Sequence, residues 1–128
     1  MTIRLLLVDD HAVVRSGLKM LLENERDVEI VGEASSASEA MEAATRLKPN
    51  VILMDIGLPD LSGIDATREI KKRTADVSIV ALTIHEDEEY FFKMLEAGPG
   101  FIFNYGNDIK SHFNIHVMII HKMIYRCY

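Results

Sequence analysis

Tryptophan is absent from this chain of 128 residues, cysteine occurs once, at Cys127, and proline only three times. A lone cysteine cannot close an internal disulfide, so a reducing compartment, the cytoplasm, is expected. Repeats and low-complexity linkers are missing, which excludes a collagen-like chain or a tethered array. Long hydrophobic runs are missing too. Stretches such as VILM and VMII fall far short of the roughly 18 residues of a membrane span, so no membrane partner is expected. The leading MTIRLLLVDD has too short an apolar stretch, ending in two aspartates, for a secretory signal. An excess of positive charge is also lacking: the net charge of −6 argues against direct nucleic-acid binding by this chain.

What is present suits one globular domain. Hydrophobic residues at 48% and charged residues at 27% are ordinary for a soluble fold, and a chain of this length is too short for two independent cores. The charge is uneven, however. Residues 1–103 hold 19 acids against 11 Lys/Arg, whereas residues 104–128 hold Asp108 against Lys110, Lys122 and Arg126. The composition divides the chain into a domain core over 1–103 and an atypical tail over 104–128.

Five short apolar runs, Ile3–Val8, Val28–Val31, Val51–Met54, Ser78–Thr83 and Phe101–Phe103, lack strict alternation and fit strands buried on both faces. Helical periodicity lies between them. One helix is predicted from about His11 to Asn24, with Val14, Leu18, Leu21 and Leu22 on a stripe. A second opens on the capping-box pattern Ser36-Ala-Ser-Glu39 and stops before Pro49. A third spans Ile64–Arg73 and a fourth Glu86–Ala97. Alternating strands and helices indicate an α/β domain with a parallel sheet, whose ligands sit beyond the carboxyl ends of the strands.

At those ends stand Asp9 and Asp10, then Asp55, then Thr83, then Asn104. Clustered carboxylates repel and resist desolvation, and a divalent cation relieves both costs. All-oxygen ligands favour Mg²⁺ over zinc. Taken alone, Asp9 or Asp10 could instead cap a helix beginning at His11, and Thr83 is an ordinary strand residue. A lone carboxylate such as Asp55 behind four apolar residues is harder to explain without a partner.

LLLVDDHAVVRSGL at 5–18, VILMDIGLPDLSGIDATREI at 51–70 and IVALTIHEDEEYFFKMLEAG at 79–98 together resemble the receiver domain of bacterial two-component response regulators. The sequence is similar in particular to the subgroup with a LuxR-type helix-turn-helix output domain. That resemblance implies a flavodoxin-like five-stranded parallel sheet in the order 2-1-3-4-5 with helices on both faces. It implies a signalling receiver rather than a turnover enzyme, whose own chemistry is self-phosphorylation and aspartyl-phosphate hydrolysis. Asp55 matches the phospho-acceptor. Asp9 and Asp10 match the acidic pair that binds Mg²⁺ with Asp55, the backbone carbonyl of Gly57 being a further ligand. Thr83 matches the hydroxyl that reads the phosphoryl group, and Phe101 the switch aromatic. Pro59 and Gly63 match the loop after the acceptor. Implied partners are a sensor histidine kinase and a second copy of the chain in a homodimer. Transcription regulation is the implied output.

Two departures stand out. The resemblance expects lysine at the end of the fifth strand, where this chain has Asn104, and Lys110 lies six residues further on. The tail, SHFNIHVMIIHKMIYRCY, is rich in β-branched residues that form helices only moderately well. A fifth helix, or a replacement for it, is predicted over about Ser111–Arg126, and its His112 and His116 share a helical face. A histidine-bearing surface accounts for them more simply than a metal site. His85, two residues after Thr83, lies near the expected site. Two other functions compete: a pseudo-receiver that keeps the fold without efficient phosphorylation, and an aspartyl phosphohydrolase. The phosphohydrolase normally needs D-x-D where Asp9 and Asp10 are adjacent.

Overall fold

Strands as apolar as Val51–Met54 require helices over both sides of their sheet, and the computed structural model has that arrangement. It describes residues 2–55, 57, 58, 60, 62–83 and 101–104, with backbone only for Leu21, Leu82, Thr83 and Phe101–Asn104. The predicted helices over Glu86–Ala97 and Ser111–Arg126 lie outside the described residues, as do Pro59, His85, Lys110 and the tail histidines.

The element order is β1 (Ile3–Val8), α1 (Ala12–Leu22), β2 (Val28–Ala34), α2 (Ala37–Leu47), β3 (Val51–Asp55), α3 (Gly63–Arg73), β4 (Ser78–Thr83) and β5 (Phe101–Asn104). The strands form one five-stranded sheet, β2-β1-β3-β4-β5, and every pairing is parallel. This is the predicted flavodoxin-like order.

Alternate strand residues feed two cores. Leu6, Val8, Ile52, Met54, Ile79 and Ala81 pack with the alanines of α2 and with Ile64, Ala66 and Ile70 of α3. Ile3, Leu5, Leu7, Val51, Leu53 and Val80 pack with Leu18 and Leu22 of α1. The small side chains Ala37, Ala40, Ala43 and Ala44 let α2 lie close to the sheet. Gly32 completes this approach, because a Cβ there would stand 2.5 Å from Leu47 Cδ1.

β2 runs three residues beyond the predicted Val31. Its register against β1 shifts from Leu5↔Ile30 to Leu6↔Gly32, so Val31 is the extra residue of a bulge. Past the bulge the strand carries Gly32 and Glu33, which broke the apolar run in the sequence without breaking the ladder.

The ends of α2 are secured from distant parts of the chain. Ser36 Oγ accepts from the Glu39 amide at 3.1 Å, as a capping box requires. The reciprocal arm is displaced by one residue, since Glu39 Oε2 accepts from the amide and hydroxyl of Ser35. The two carboxylate oxygens of Asp60 accept from the amides of Ala37 and Ser38 at 2.9 and 3.1 Å. At the other end Lys48 adopts φ 48 and ψ 59, ahead of Pro49, and the Arg4 guanidinium donates to the carbonyls of Leu47 and Lys48. Asn50 joins three segments at the amino edge of the sheet: its amide donates to Arg4 O, its Oδ1 accepts from Arg4 N, and its carbonyl accepts from Ser78 N. Among the described residues no helix is long and apolar enough to cross a membrane.

Candidate functional site

The carboxyl edge of the sheet collects the acids that the sequence singled out. β1 ends at Val8 and delivers Asp9, whose amide donates to Ala34 O of β2 at 3.0 Å. β3, paired with β1 on one side and β4 on the other, delivers Asp55. One carboxylate oxygen from each of Asp9, Asp10 and Asp55, together with a ring nitrogen of His11, lies within 4.8 Å of all the others. Asp9 is 5% exposed, whereas Asp10 and His11 face solvent and Asp55 is half-buried.

Neither Asp9 nor Asp10 caps the following helix. α1 begins at Ala12, its N-cap is His11, and the His11 side chain makes no capping hydrogen bond. Asp9 Oδ1 instead accepts from the His11 backbone amide at 2.8 Å and meets His11 Nδ1 at 2.9 Å. The same nitrogen stands 3.0 Å from Asp10 Oδ1. From α1, Arg15 donates through Nη1 to the Asp9 carbonyl and through Nε to Glu33, which Lys19 also engages at 2.9 Å. These contacts lock the start of α1 against β2. The Lys19 hydrogen bond, foremost among the effects of these cations, holds the Glu33 carboxyl below its usual range.

Electrostatics single out Asp55. Burial foremost, then the nearby charge of Asp9, pushes its carboxyl from the ordinary 3.8 up to about 6, against the Gly57 amide that donates to its Oδ1 at 3.0 Å. His11 moves upward as well, first through its hydrogen bond to Asp9 and then through the charges of Asp10, Asp9 and Asp55, against the effect of burial. The charges of Asp9 and Asp10 add to the effect of burial, and three carboxylate oxygens beside one another are a fitting donor set for a divalent cation.

Thr83 ends β4, and its Cα partner on β5 is Asn104. Leu82, one residue earlier, is the partner of Asp55. The sheet therefore brings the backbones of Asp55, Thr83 and Asn104 to one edge, whereas Phe101 sits at the opposite end of β5 beside Val80. Gly57 is exposed just beyond β3, and Gly63 is the buried first residue of α3.

Residues 5–102 match the response regulator receiver domain. The chain belongs to that family. This receiver is 44% identical over 96 residues to the transcriptional regulatory protein LiaR of Bacillus subtilis, a match covering 75% of the chain and 46% of LiaR. The chain thus spans about half the length of the curated relatives it matches. Among solved structures it resembles a LuxR-family two-component response regulator from Aurantimonas, with 31% identity and a TM-score of 0.77 over 89% of this chain and 86% of that one. The response regulator domain of Thermotoga maritima CheB superposes with a TM-score of 0.82 at 29% identity, covering 95% and 93% of the two chains.

Reading the sequence by its carboxylates alone missed His11, which sat in plain view directly after Asp9 and Asp10. It also missed Asp60, because a side chain that serves a helix 23 residues away leaves no local pattern.

Proposed function

We propose that this receiver accepts a phosphoryl group on Asp55 and uses the new charge to alter a dimerisation or output surface. The observation that carries this reading is the gathering of Asp9, Asp10 and Asp55 oxygens within 4.8 Å at the carboxyl edge of the sheet. Asp55 is the nucleophile, attacking phosphorus from the end of a strand that packing holds still. Asp9, Asp10 and Asp55, with the backbone carbonyl of Gly57, would hold Mg²⁺. When bound, that cation neutralises charge on the phosphoryl oxygens. The Gly57 amide, already on Asp55 Oδ1, orients the carboxylate. Thr83 is assigned the phosphoryl-sensing hydroxyl and Phe101 the switch aromatic.

The phosphodonor is a sensor histidine kinase, in the cytoplasm, and the phosphorylated form is a homodimer. Residues 1–103 are the receiver core and 104–128 the fifth helix or its replacement. Transcription regulation is the output, a reading supported by the naming of LiaR and of the LuxR-family neighbour. The deciding experiment is Mg²⁺-dependent labelling from acetyl phosphate or phosphoramidate. Asp55→Asn should abolish the acid-labile, hydroxylamine-sensitive product, and undiminished labelling of that variant rejects the assignment.

One observation favours a second reading, a pseudo-receiver with impaired phosphorylation. Asn104, beside Thr83 in register, occupies the position at which the family resemblance expects a lysine to pair with the phosphoryl group. A neutral contact there is worth about half of a charge-assisted one, which contributes roughly 1.5–3 kcal/mol. The difference, about 0.75–1.5 kcal/mol, means that Asn104→Lys should quicken labelling roughly four- to twelvefold. An unchanged rate means that the missing charge does not limit this receiver.

A further inference from the structure

The acidic pocket contains a group that a three-carboxylate site does not require, the His11 imidazole. Resting on the metal-binding reading of this pocket, we infer that His11 is a nitrogen ligand that makes the pocket prefer a first-row transition dication, such as Ni²⁺ or Co²⁺, over Mg²⁺. His11 Nδ1 lies 2.9 Å from Asp9 Oδ1 and 3.0 Å from Asp10 Oδ1. An octahedral ion with bonds of about 2.1 Å holds neighbouring ligand atoms about 3.0 Å apart. The nitrogen is therefore already at adjacent-ligand spacing from two oxygens, and Asp55 brings a third within 4.8 Å.

The backbone holds the ring there. His11 is the extended N-cap of α1, with φ −99 and ψ 106, and its amide is tied to the same Asp9 oxygen that its ring meets. The side chain is 67% exposed, so it has room for the small rotation that turns a hydrogen-bond contact into a shared ligand shell. Imidazole nitrogen suits nickel, cobalt and zinc, whereas Mg²⁺ discriminates in favour of oxygen. Replacing one water of the shell with His11 thus strengthens transition-metal binding and does little for Mg²⁺.

Calorimetric titration of the full chain with MgCl₂ and with NiCl₂ tests this, at one fixed pH near about 8, where an ordinary imidazole is neutral. The proteins compared are the unaltered chain, His11→Ala, His11→Gln, Asp9→Asn, Asp55→Asn and His11→Ala combined with Asp9→Asn. Removing the imidazole should weaken Ni²⁺ binding roughly tenfold or more, in both His11 variants, and change Mg²⁺ binding by less than about threefold. The Ni²⁺ loss should shrink in the Asp9→Asn background, because the two side chains share one ion. That coupling separates this pocket from the histidines of the tail. Parallel changes for the two ions, tighter binding of both, or a Ni²⁺ loss that persists undiminished without Asp9 would overturn the inference and leave His11 a hydrogen-bond partner only. Failure of the underlying metal site shows itself differently: Mg²⁺ affinity would then be the same in Asp9→Asn, Asp55→Asn and the unaltered chain.

Discussion

Asp55 illustrates how a reactive position is held against its own preference. Its carboxyl binds a proton more tightly in the folded chain than in an unfolded one, with the midpoint moved from 3.8 to about 6. The folded state therefore holds the extra proton between these values, and stability present at low pH is lost as pH rises through about 6. Two pKa units correspond to about 3 kcal/mol, an upper bound for a half-buried group. His11 acts in the same direction: its pKa is raised, so its contribution is complete below the ordinary 6.5 and is lost above it. Metal-free protein should accordingly unfold at lower urea concentration at pH 8 than at pH 5, once other titrations are matched. Asp55→Asn should flatten that profile and stabilise the metal-free chain near neutrality by roughly 1–3 kcal/mol. Equal urea midpoints for the two proteins at pH 8 in chelator would show that the carboxylate sits there without strain.

At the scale of one element, α2 is the clearest case of a helix finished by its surroundings. Its own sequence supplies Ser36 and Glu39, but Asp60 and Arg4 arrive from the β3–α3 connection and from β1. An aspartate accepting from two free amides at a helix start has the worth of an N-cap, so Asp60→Ala should cost about 1 kcal/mol in chemical denaturation. The loss should exceed that of Asp60→Asn, which keeps an acceptor and drops the charge. Close packing of α2 on β2 gives a second test. Gly32→Val would drive methyl groups into Leu47, whose Cδ1 lies 2.5 Å from even a bare Cβ, and should destabilise by about 1–3 kcal/mol. Trimming Leu47 to Ala in the same protein should return part of that loss. If the double variant falls below the unaltered chain by the full sum of the two single losses, the two side chains do not compete for the same space.

Over the whole molecule, the sheet was legible because central strands buried on both faces must be apolar throughout, and Leu5–Val8, Val51–Met54 and Ser78–Thr83 read accordingly. The carboxylates of the site were legible for the same reason, since acids that follow such runs emerge at the ligand-binding edge. β2 was cut short at Val31 because an edge strand tolerates Gly32 and Glu33 while its backbone ladder continues. The contributions of His11 and Asp60 could not be read from hydrophobic period at all, since each depends on where a neighbouring segment comes to rest. The stitch at Asn50 gives the sheet unequal ends. Three hydrogen bonds fasten β1, β3 and β4 where they begin, while at the far end Asp9 and Asp55 push each other apart. Without a cation the strands should breathe like a book bound along one edge: amide exchange measured by mass spectrometry or NMR would slow progressively from Met54 and Asp55 back toward Val51. Saturating divalent metal should flatten that gradient, and Asn50→Ala, which removes only the Oδ1 bond to the Arg4 amide and keeps the two backbone bonds, should lessen it at the bound edge.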